Sequence, residues 1–345
     1  MKAVVFAGDE RVRVDDVPEP TLVERGDAIV QVNLSSICGS DLHLLRGKTP
    51  GLNPGSVIGH EFVGHVSEVA EGANVGVGDR VVGSFLIACG TCDRCVAGHF
   101  NFCLRRRALG SGELTGDLDG AQAEFVRVPL ADVNLMRIDD KLSDEHALFG
   151  GDILTTGFYG AELTGAGSDD IAVVVGAGPV GLFTALALNR RGARTIVVDL
   201  NAKRADWAAA NLGLEAIGGE DYPDGAVADV TEGAKADVAV DAVGAVPALK
   251  TAIHCVREGG RVVVLGVYGA ERMDLAMGRA WVSGLDLLFA GMANVQGHWS
   301  EALGAVSAGE VDPTTLITHR LPLGEAERGY ELFASQEAIK VVLAP

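Results

Sequence analysis

Residues 171–181, IAVVVGAGPVG, constrain this chain more than any other segment. Five apolar residues run into Gly176, and Gly178 and Gly181 complete a G-x-G-x-x-G pattern that opens a helical stretch from 179 to about 191. Each glycine meets a separate demand. The first makes a tight turn, the second lets backbone approach a pyrophosphate, and the third lets helix pack on strand. Downstream, strand-like and helical stretches alternate: 195–198 ending in Asp199, a helix over 202–212, then 236–243, a helix over 247–257, 260–267 and 285–290. Buried strands alternating with helices predict a doubly wound parallel sheet.

The first 150 residues have a different grain. Short β-rich segments at 2–6, 28–34, 57–69, 80–82 and 123–128 are cut by Gly, Pro and Asp, and several alternate apolar with polar residues. That pattern predicts an irregular β-barrel or roll. From about 292 onward come two short amphipathic segments and a strand-like 339–343. A length of 345 residues accommodates about two domains. The fold class is therefore α/β joined to β, with a nucleotide-binding domain at 156–291 and the remainder, 1–155 with 292–345, as its companion.

Charge narrows the partners. With 28 Lys and Arg against 47 Asp and Glu, the net charge is −19, and such a surface repels nucleic acid and anionic membranes. The first residues, MKAVVFAGDERVRV, carry charges where a secretory signal needs an apolar run. No window reaches the roughly 18 apolar residues of a membrane helix. The expectation is a soluble, cytoplasmic protein acting on a small molecule.

Asp199 lies 18 residues after Gly181, where a carboxylate accepts hydrogen bonds from the adenosine ribose hydroxyls. The same charge repels a 2′-phosphate, so NAD is favoured over NADP; Arg204, close by, keeps NADP in play. Pro179 and Val180 inside the motif, Val243, and Val267 at the end of a later strand complete the candidate coenzyme contacts.

Cys89, Cys92, Cys95 and Cys103 form C-x2-C-x2-C-x7-C. Four thiolates so spaced close a tetrahedral cage around zinc and leave no open position, which makes a structural site. Disulfides would need an oxidising compartment, and the last spacing differs from the common iron–sulfur run. A second cluster starts at Cys38 in CGSDLH and continues at Gly59-His60-Glu61. A thiolate and an imidazole suit zinc, and one more ligand would leave a position for substrate. Spacing alone leaves ligands and buried core residues equally open for Cys38 and His60, and it does not locate the third ligand.

At these residues the chain resembles the zinc-containing medium-chain alcohol dehydrogenase family, through CGSDLH at 38–43, GHEFVG at 59–64, GDRVV at 78–82, the four-cysteine loop, GAGPVG at 176–181 and DAVG at 241–244. The resemblance spans the whole chain. It implies a GroES-like β-rich catalytic domain around an inserted Rossmann domain, a catalytic zinc on Cys38 and His60, a second, structural zinc, and a homodimer or homotetramer joined near 260–290. The family's third ligand falls at Asp152, as in the branch that contains secondary alcohol dehydrogenases and glutathione-independent formaldehyde dehydrogenases.

An alcohol is a good hydride donor only once its hydroxyl has lost its proton, which a Lewis-acidic ion promotes. The resemblance implies that Ser40 takes that proton and that His43 passes it outward by way of the coenzyme ribose. It further implies that Asp41 orients His60. Glu61 is read either as an alternate zinc ligand or as a buried acid paired with an arginine. His65, His99, His146, His254, His298, His319 and Cys255 match no motif and are assigned to surface or packing. The expected activity is zinc- and NAD-dependent interconversion of a primary or secondary alcohol with its aldehyde or ketone. Its rivals are an aldehyde-oxidising or dismutating enzyme of the formaldehyde type and a non-catalytic redox sensor that holds zinc and nucleotide. Pocket-wall candidates are Leu86, Phe100, Leu118, Trp281, Met292 and Trp299.

Overall fold

The computed structural model describes residues 1–48, 51–219, 223–269 and 272–345. It divides into two compact units, one of Met1–Thr155 with Asn294–Pro345 and one of Thr156–Ala293.

In the first unit, seven strands form the principal sheet. Ile317–Pro322, Lys340–Ala344, Ala28–Ser36, Glu61–Val69, Arg80–Gly83 and Leu135–Arg137 lie in that order, and Phe125–Val128 pairs with Ala28–Ser36. Alternation explains the central strand: Ala28, Val30 and Val32 face a core shared with Phe62, Val66, Val81 and Val126, while Gln31 points outward. Register then sets up the site. Ser36 pairs with Glu61 across one antiparallel ladder and with Val342 across another. Cys38, just past one strand, His60, just before the next, and Lys340, two residues before Val342, therefore gather at one end of the sheet.

The sequence reading extends one strand over 57–69; the structure starts it at Glu61. Gly59, with φ +88°, turns the chain, and Val57 and Ile58 pair instead with Val5 and Val4. The strands Arg11–Asp16, Glu215–Gly218 and Ile317–Pro322 are additional to those expected.

The second unit carries six parallel strands in the order Glu215–Gly218, Arg194–Asp199, Ile171–Val175, Ala236–Asp241, Val256–Val264, Asp286–Phe289. In sequence this is 3-2-1-4-5-6, the doubly wound order whose ligands bind at the carboxyl ends where the order reverses. Val173, Val174, Ile196, Val197, Ala239, Val240, Val262 and Val263 are fully enclosed, as a sheet covered on both faces requires. No helix among the described residues is long and apolar enough to cross a membrane.

Candidate active site and metal centres

Cys38 caps the helix Gly39–Leu45 at its N-terminus. Asp41, on the first turn, reaches back so that its Oδ2 accepts the Cys38 backbone N–H at 2.9 Å, half of a capping box. Asp152 arrives from a third segment, directly after the tight turn Phe149–Gly151. That turn is pinned by Trp299 Nε1 and Thr155 Oγ1, both donating to the Gly150 carbonyl, and by Phe85 N–H donating to Gly151 O.

The three side chains converge. One potential ligand atom each from Cys38, His60 and Asp152 lies within 4.8 Å of the others, and all three residues are buried. Cys38 Sγ is 3.5 Å from Asp152 Oδ2, and His60 Nε2 is 3.2 Å from the same oxygen. A tetrahedron with ordinary zinc–ligand bonds has edges of about 3.5 Å between S and O and about 3.3 Å between N and O. The protein atoms alone already hold those separations, so the donor set fits the metal.

Burial, then the nearby Asp152 carboxylate, pushes the Cys38 thiol up. Burial alone would depress His60, but Asp41 and Asp152 outweigh it and raise the ring well above its ordinary value. Burial likewise opposes ionisation of Asp152, and its bond to His60 overrides this to hold the carboxyl below the usual range. A divalent ion must displace protons from Cys38 and His60, so the site's metal affinity rises with pH.

Ser40 Oγ lies 3.2 Å from His60 Nε2, and half-buried His43 stands one turn further along the same helix. Asp41 Oδ1 is 3.2 Å from His60 Nδ1, too oblique for a straight hydrogen bond. Glu61 is enclosed, and its Oε2 binds both Ser36 Oγ and Lys340 Nζ. The cation beside Glu61 is thus a lysine from the C-terminal strand, a correction to the expected arginine. Burial works against the Lys340 charge, but Glu61 overrides it and raises the amine. Lys340 also donates to Ile37 O at 2.8 Å. No motif marks it; only strand register brings it here.

Cys89, Cys92, Cys95 and Cys103 form a second cluster. The sulfurs of Cys89 and Cys95 are 3.9 Å apart and those of Cys92 and Cys95 3.6 Å, bracketing the ~3.8 Å edge of a four-thiolate zinc tetrahedron. Cys89 Sγ accepts the Cys92 N–H, and Cys103 Sγ accepts the N–H groups of Cys89 and Arg105. Burial opposes the Cys89 thiolate, but the backbone N–H groups of Thr91 and Cys92, followed by the Arg105 side chain, bring its pKa down to about 5.

In the second unit, Gly176 takes φ +108°, and a Cβ on Gly181 would sit 1.9 Å from the Gly176 carbonyl oxygen. A Cβ on Gly178 would meet nothing within 4 Å, so this turn offers bare backbone and open space to a phosphate at the helix Pro179–Arg190, where free N–H groups favour an anion. Asp199 accepts the N–H groups of Ala177 and Asn201, both at 2.7 Å, and so ties the glycine turn to the next strand. Val243 packs against Gly176, Gly244 packs against Val267, and both valines are partly exposed. Half-buried Arg204 is close enough to feel the Asp199 charge, while burial lowers its own pKa. Of the pocket-wall candidates, Leu86, Leu118 and Trp299 are core residues, and Trp281 is 83% exposed. Cys255 is fully buried, as expected for a packing residue.

Two family models match, the alcohol dehydrogenase GroES-like domain over residues 24–140 and the zinc-binding dehydrogenase domain over 179–308. The zinc-type alcohol dehydrogenase-like protein AdhB of Bacillus subtilis, itself uncharacterized, is 35% identical, with all of both chains covered. The solved alcohol dehydrogenase TADH from Thermus sp. ATN1 superposes with a TM-score of 0.95 at 42% identity, covering 100% of each chain. An alcohol dehydrogenase (rspB) from E. coli CFT073, solved with NADH, has a TM-score of 0.88 at 27% identity, covering 100% of this chain and 99% of its own.

Proposed function

The chain belongs to the zinc-dependent medium-chain alcohol dehydrogenase family, and on that premise we propose that it interconverts an alcohol with its aldehyde or ketone, using NAD and a zinc held by Cys38, His60 and Asp152. The observation that carries this reading is the convergence of thiol, imidazole and carboxylate at tetrahedral edge lengths, with a serine hydroxyl against the imidazole. An aspartate as third ligand aligns the chain with the secondary alcohol and formaldehyde dehydrogenase branch.

When bound, zinc supplies a Lewis acid and NAD supplies the hydride acceptor. The protein's residues do the rest. Cys38 and Asp152 provide two negative charges and His60 none, a set that balances a divalent cation. Ser40 accepts the substrate hydroxyl proton while passing on its own, and His43, an imidazole that can take up and release a proton, relays it toward solvent by way of the coenzyme ribose. Asp41 steers His60. Cys89, Cys92, Cys95 and Cys103 hold a second, structural zinc apart from the chemistry. Gly176, Gly178 and Gly181, with the helix behind them, seat the coenzyme pyrophosphate, and Asp199 binds the ribose. The exposed Met277, Trp281 and Val282 on the helix Met277–Val282, with the exposed Phe289 on the following edge strand Asp286–Phe289 of the nucleotide-binding sheet, support a homodimer or homotetramer.

Metal analysis with an alcohol panel tests the reading. Two zinc ions per chain and NADH formation from primary or secondary alcohols are expected. NADH from formaldehyde with none from secondary alcohols would move the assignment to the aldehyde-oxidising rival; one zinc and no turnover would leave a nucleotide-binding sensor.

Coenzyme choice is tested separately through Asp199→Asn. A hydrogen bond to a charged group contributes about 1.5–3 kcal/mol, so the neutral variant should narrow the preference for NAD over NADP tenfold or more. Fluorescence titration with both coenzymes reads this directly. A wild-type protein that binds NADP more tightly would overturn the coenzyme assignment and leave the zinc chemistry standing.

A further inference from the structure

We propose that Gln122 and Tyr330 are positioning residues for the zinc site, an outer clamp that fixes the Asp41 carboxylate and, through it, the His60 ring. The proposal rests on the reading of Cys38, His60 and Asp152 as zinc ligands.

The clamp is a continuous buried chain. Tyr330, on the helix Ala326–Ala334, donates its hydroxyl to Gln122 Oε1 at 2.9 Å. Gln122 Nε2 donates to the Ser36 carbonyl at 3.1 Å and to Asp41 Oδ2 at 3.2 Å. The same Asp41 oxygen accepts the Cys38 N–H, and the other faces His60 Nδ1. Gln122 is 0%, Asp41 1% and Tyr330 5% exposed, so a partner lost here is not replaced by bulk water.

Chemistry allows the amide one orientation. Turned over, its oxygen would face a carbonyl and a carboxylate, acceptor against acceptor, so Nε2 must lie on that side and Oε1 is left to accept the Tyr330 hydroxyl. Burial and the Asp41 charge hold that phenol well above its usual range, so it stays a donor. Backbone reinforces the arrangement: Gln122 N–H donates to Ile58 O, and Ala121 N–H donates to Gly59 O. A Cβ on Gly59 would lie 2.3 Å from Gln122 Cγ. The bare glycine before His60 is what lets the loop lie against this side chain. Held by the Cys38 N–H alone, Asp41 could turn about that bond and shift the oxygen that faces His60 Nδ1, and the carboxylate partners of ligating histidines are typically worth about 10–100-fold in metal affinity.

The test is zinc competition with graded chelators, counting ions per chain, on wild type, Gln122→Met and Tyr330→Phe. The four-cysteine zinc serves as internal reference. Each variant removes hydrogen bonds at nearly constant volume. The catalytic zinc of Gln122→Met should bind about 10–100-fold more weakly and that of Tyr330→Phe severalfold more weakly, with the reference zinc retained and Tm lowered by only a few degrees, the cost of buried groups left without partners. The visible bands of cobalt(II) at the catalytic site should change in both. If Gln122→Met does not fold, Tyr330→Phe alone decides. Wild-type zinc affinity and an unchanged cobalt spectrum would overturn the clamp, as would joint loss of both ions with a large fall in Tm, which marks a purely structural network. A wild-type chain holding only the four-cysteine zinc overturns the functional reading, and the clamp with it.

Discussion

Asp152→Asn and Cys38→Ser should each lower turnover by at least about a thousandfold while NAD affinity stays within about twofold of wild type. The size follows from what the ion contributes. A Lewis acid at a developing oxyanion is worth several kcal/mol, and about 4 kcal/mol corresponds to a factor of a thousand. Asp152→Asn preserves shape and removes charge, replacing a carboxylate that His60 holds ionised with a neutral amide. Cys38→Ser removes the soft ligand and leaves a hydroxyl whose proton is far harder to displace. Both changes leave the four-cysteine cluster and the turn at Gly176–Gly181 untouched, because neither shares a residue with the Cys38, His60 and Asp152 set. Zinc should fall from two ions per chain to one, counted by metal analysis beside a coenzyme titration and a steady-state assay. Near-wild-type turnover from Asp152→Asn, or from protein stripped of its catalytic ion, would refute the assignment.

What could be read from the sequence was whatever is encoded over short spans. The glycine turn is legible because Gly176 and Gly181 answer steric demands within one strand-to-helix passage, and Asp199 because the next strand delivers it at a fixed offset. The four cysteines declare themselves within fifteen residues. Cys38 and His60 were half legible, as residue types without a third partner; Asp152 came only from family resemblance, since its approach depends on the turn Phe149–Gly151 docking against Phe85. Lys340, Gln122 and Tyr330 carried no signal at all. Their roles exist only after Ser36 is in register with both Glu61 and Val342, and register is a long-range property. The strand Glu215–Gly218 escaped notice for a local reason: EAIG is too short to show a period. The expected strand over 57–69 failed because an apolar run says nothing about the positive φ at Gly59.

The second large effect concerns stability. Cys103→Ser should lose one zinc per chain and about 10 °C in Tm, and should open the four-cysteine loop to trypsin at Arg94, Arg105 and Arg106, all exposed. The loop has little else to order it. Its regular structure is the single turn Asp93–Val96 and the 3-10 turn Phe100–Phe102. Its apolar cluster consists largely of Cys89, Cys95 and Cys103 with Ala88, while Val96, Phe102 and Leu104 face outward. The sulfurs are therefore the core, and on the proposed structural-zinc reading a shared ion is what would make them cohere. Without it, Cys95 is a thiol whose pKa is pushed up to about 12, chiefly by burial, beside Cys89 at about 5, whose thiolate is left to backbone donors and the exposed Arg105. Loss of such a site typically costs several kcal/mol, and for domains of 150–250 residues each kcal/mol moves Tm by about 2–4 °C. Asn294 binds Phe100 N–H and Gly98 O, so the loosened loop should also weaken the seating of the C-terminal segment. Turnover per catalytic zinc at low temperature should remain within about twofold of wild type, because no sulfur of this cluster belongs to the Cys38, His60 and Asp152 set. A Cys103→Ser protein with one zinc fewer, unchanged Tm and an intact loop under trypsin would show that packing and hydrogen bonds, not the ion, hold the segment in place.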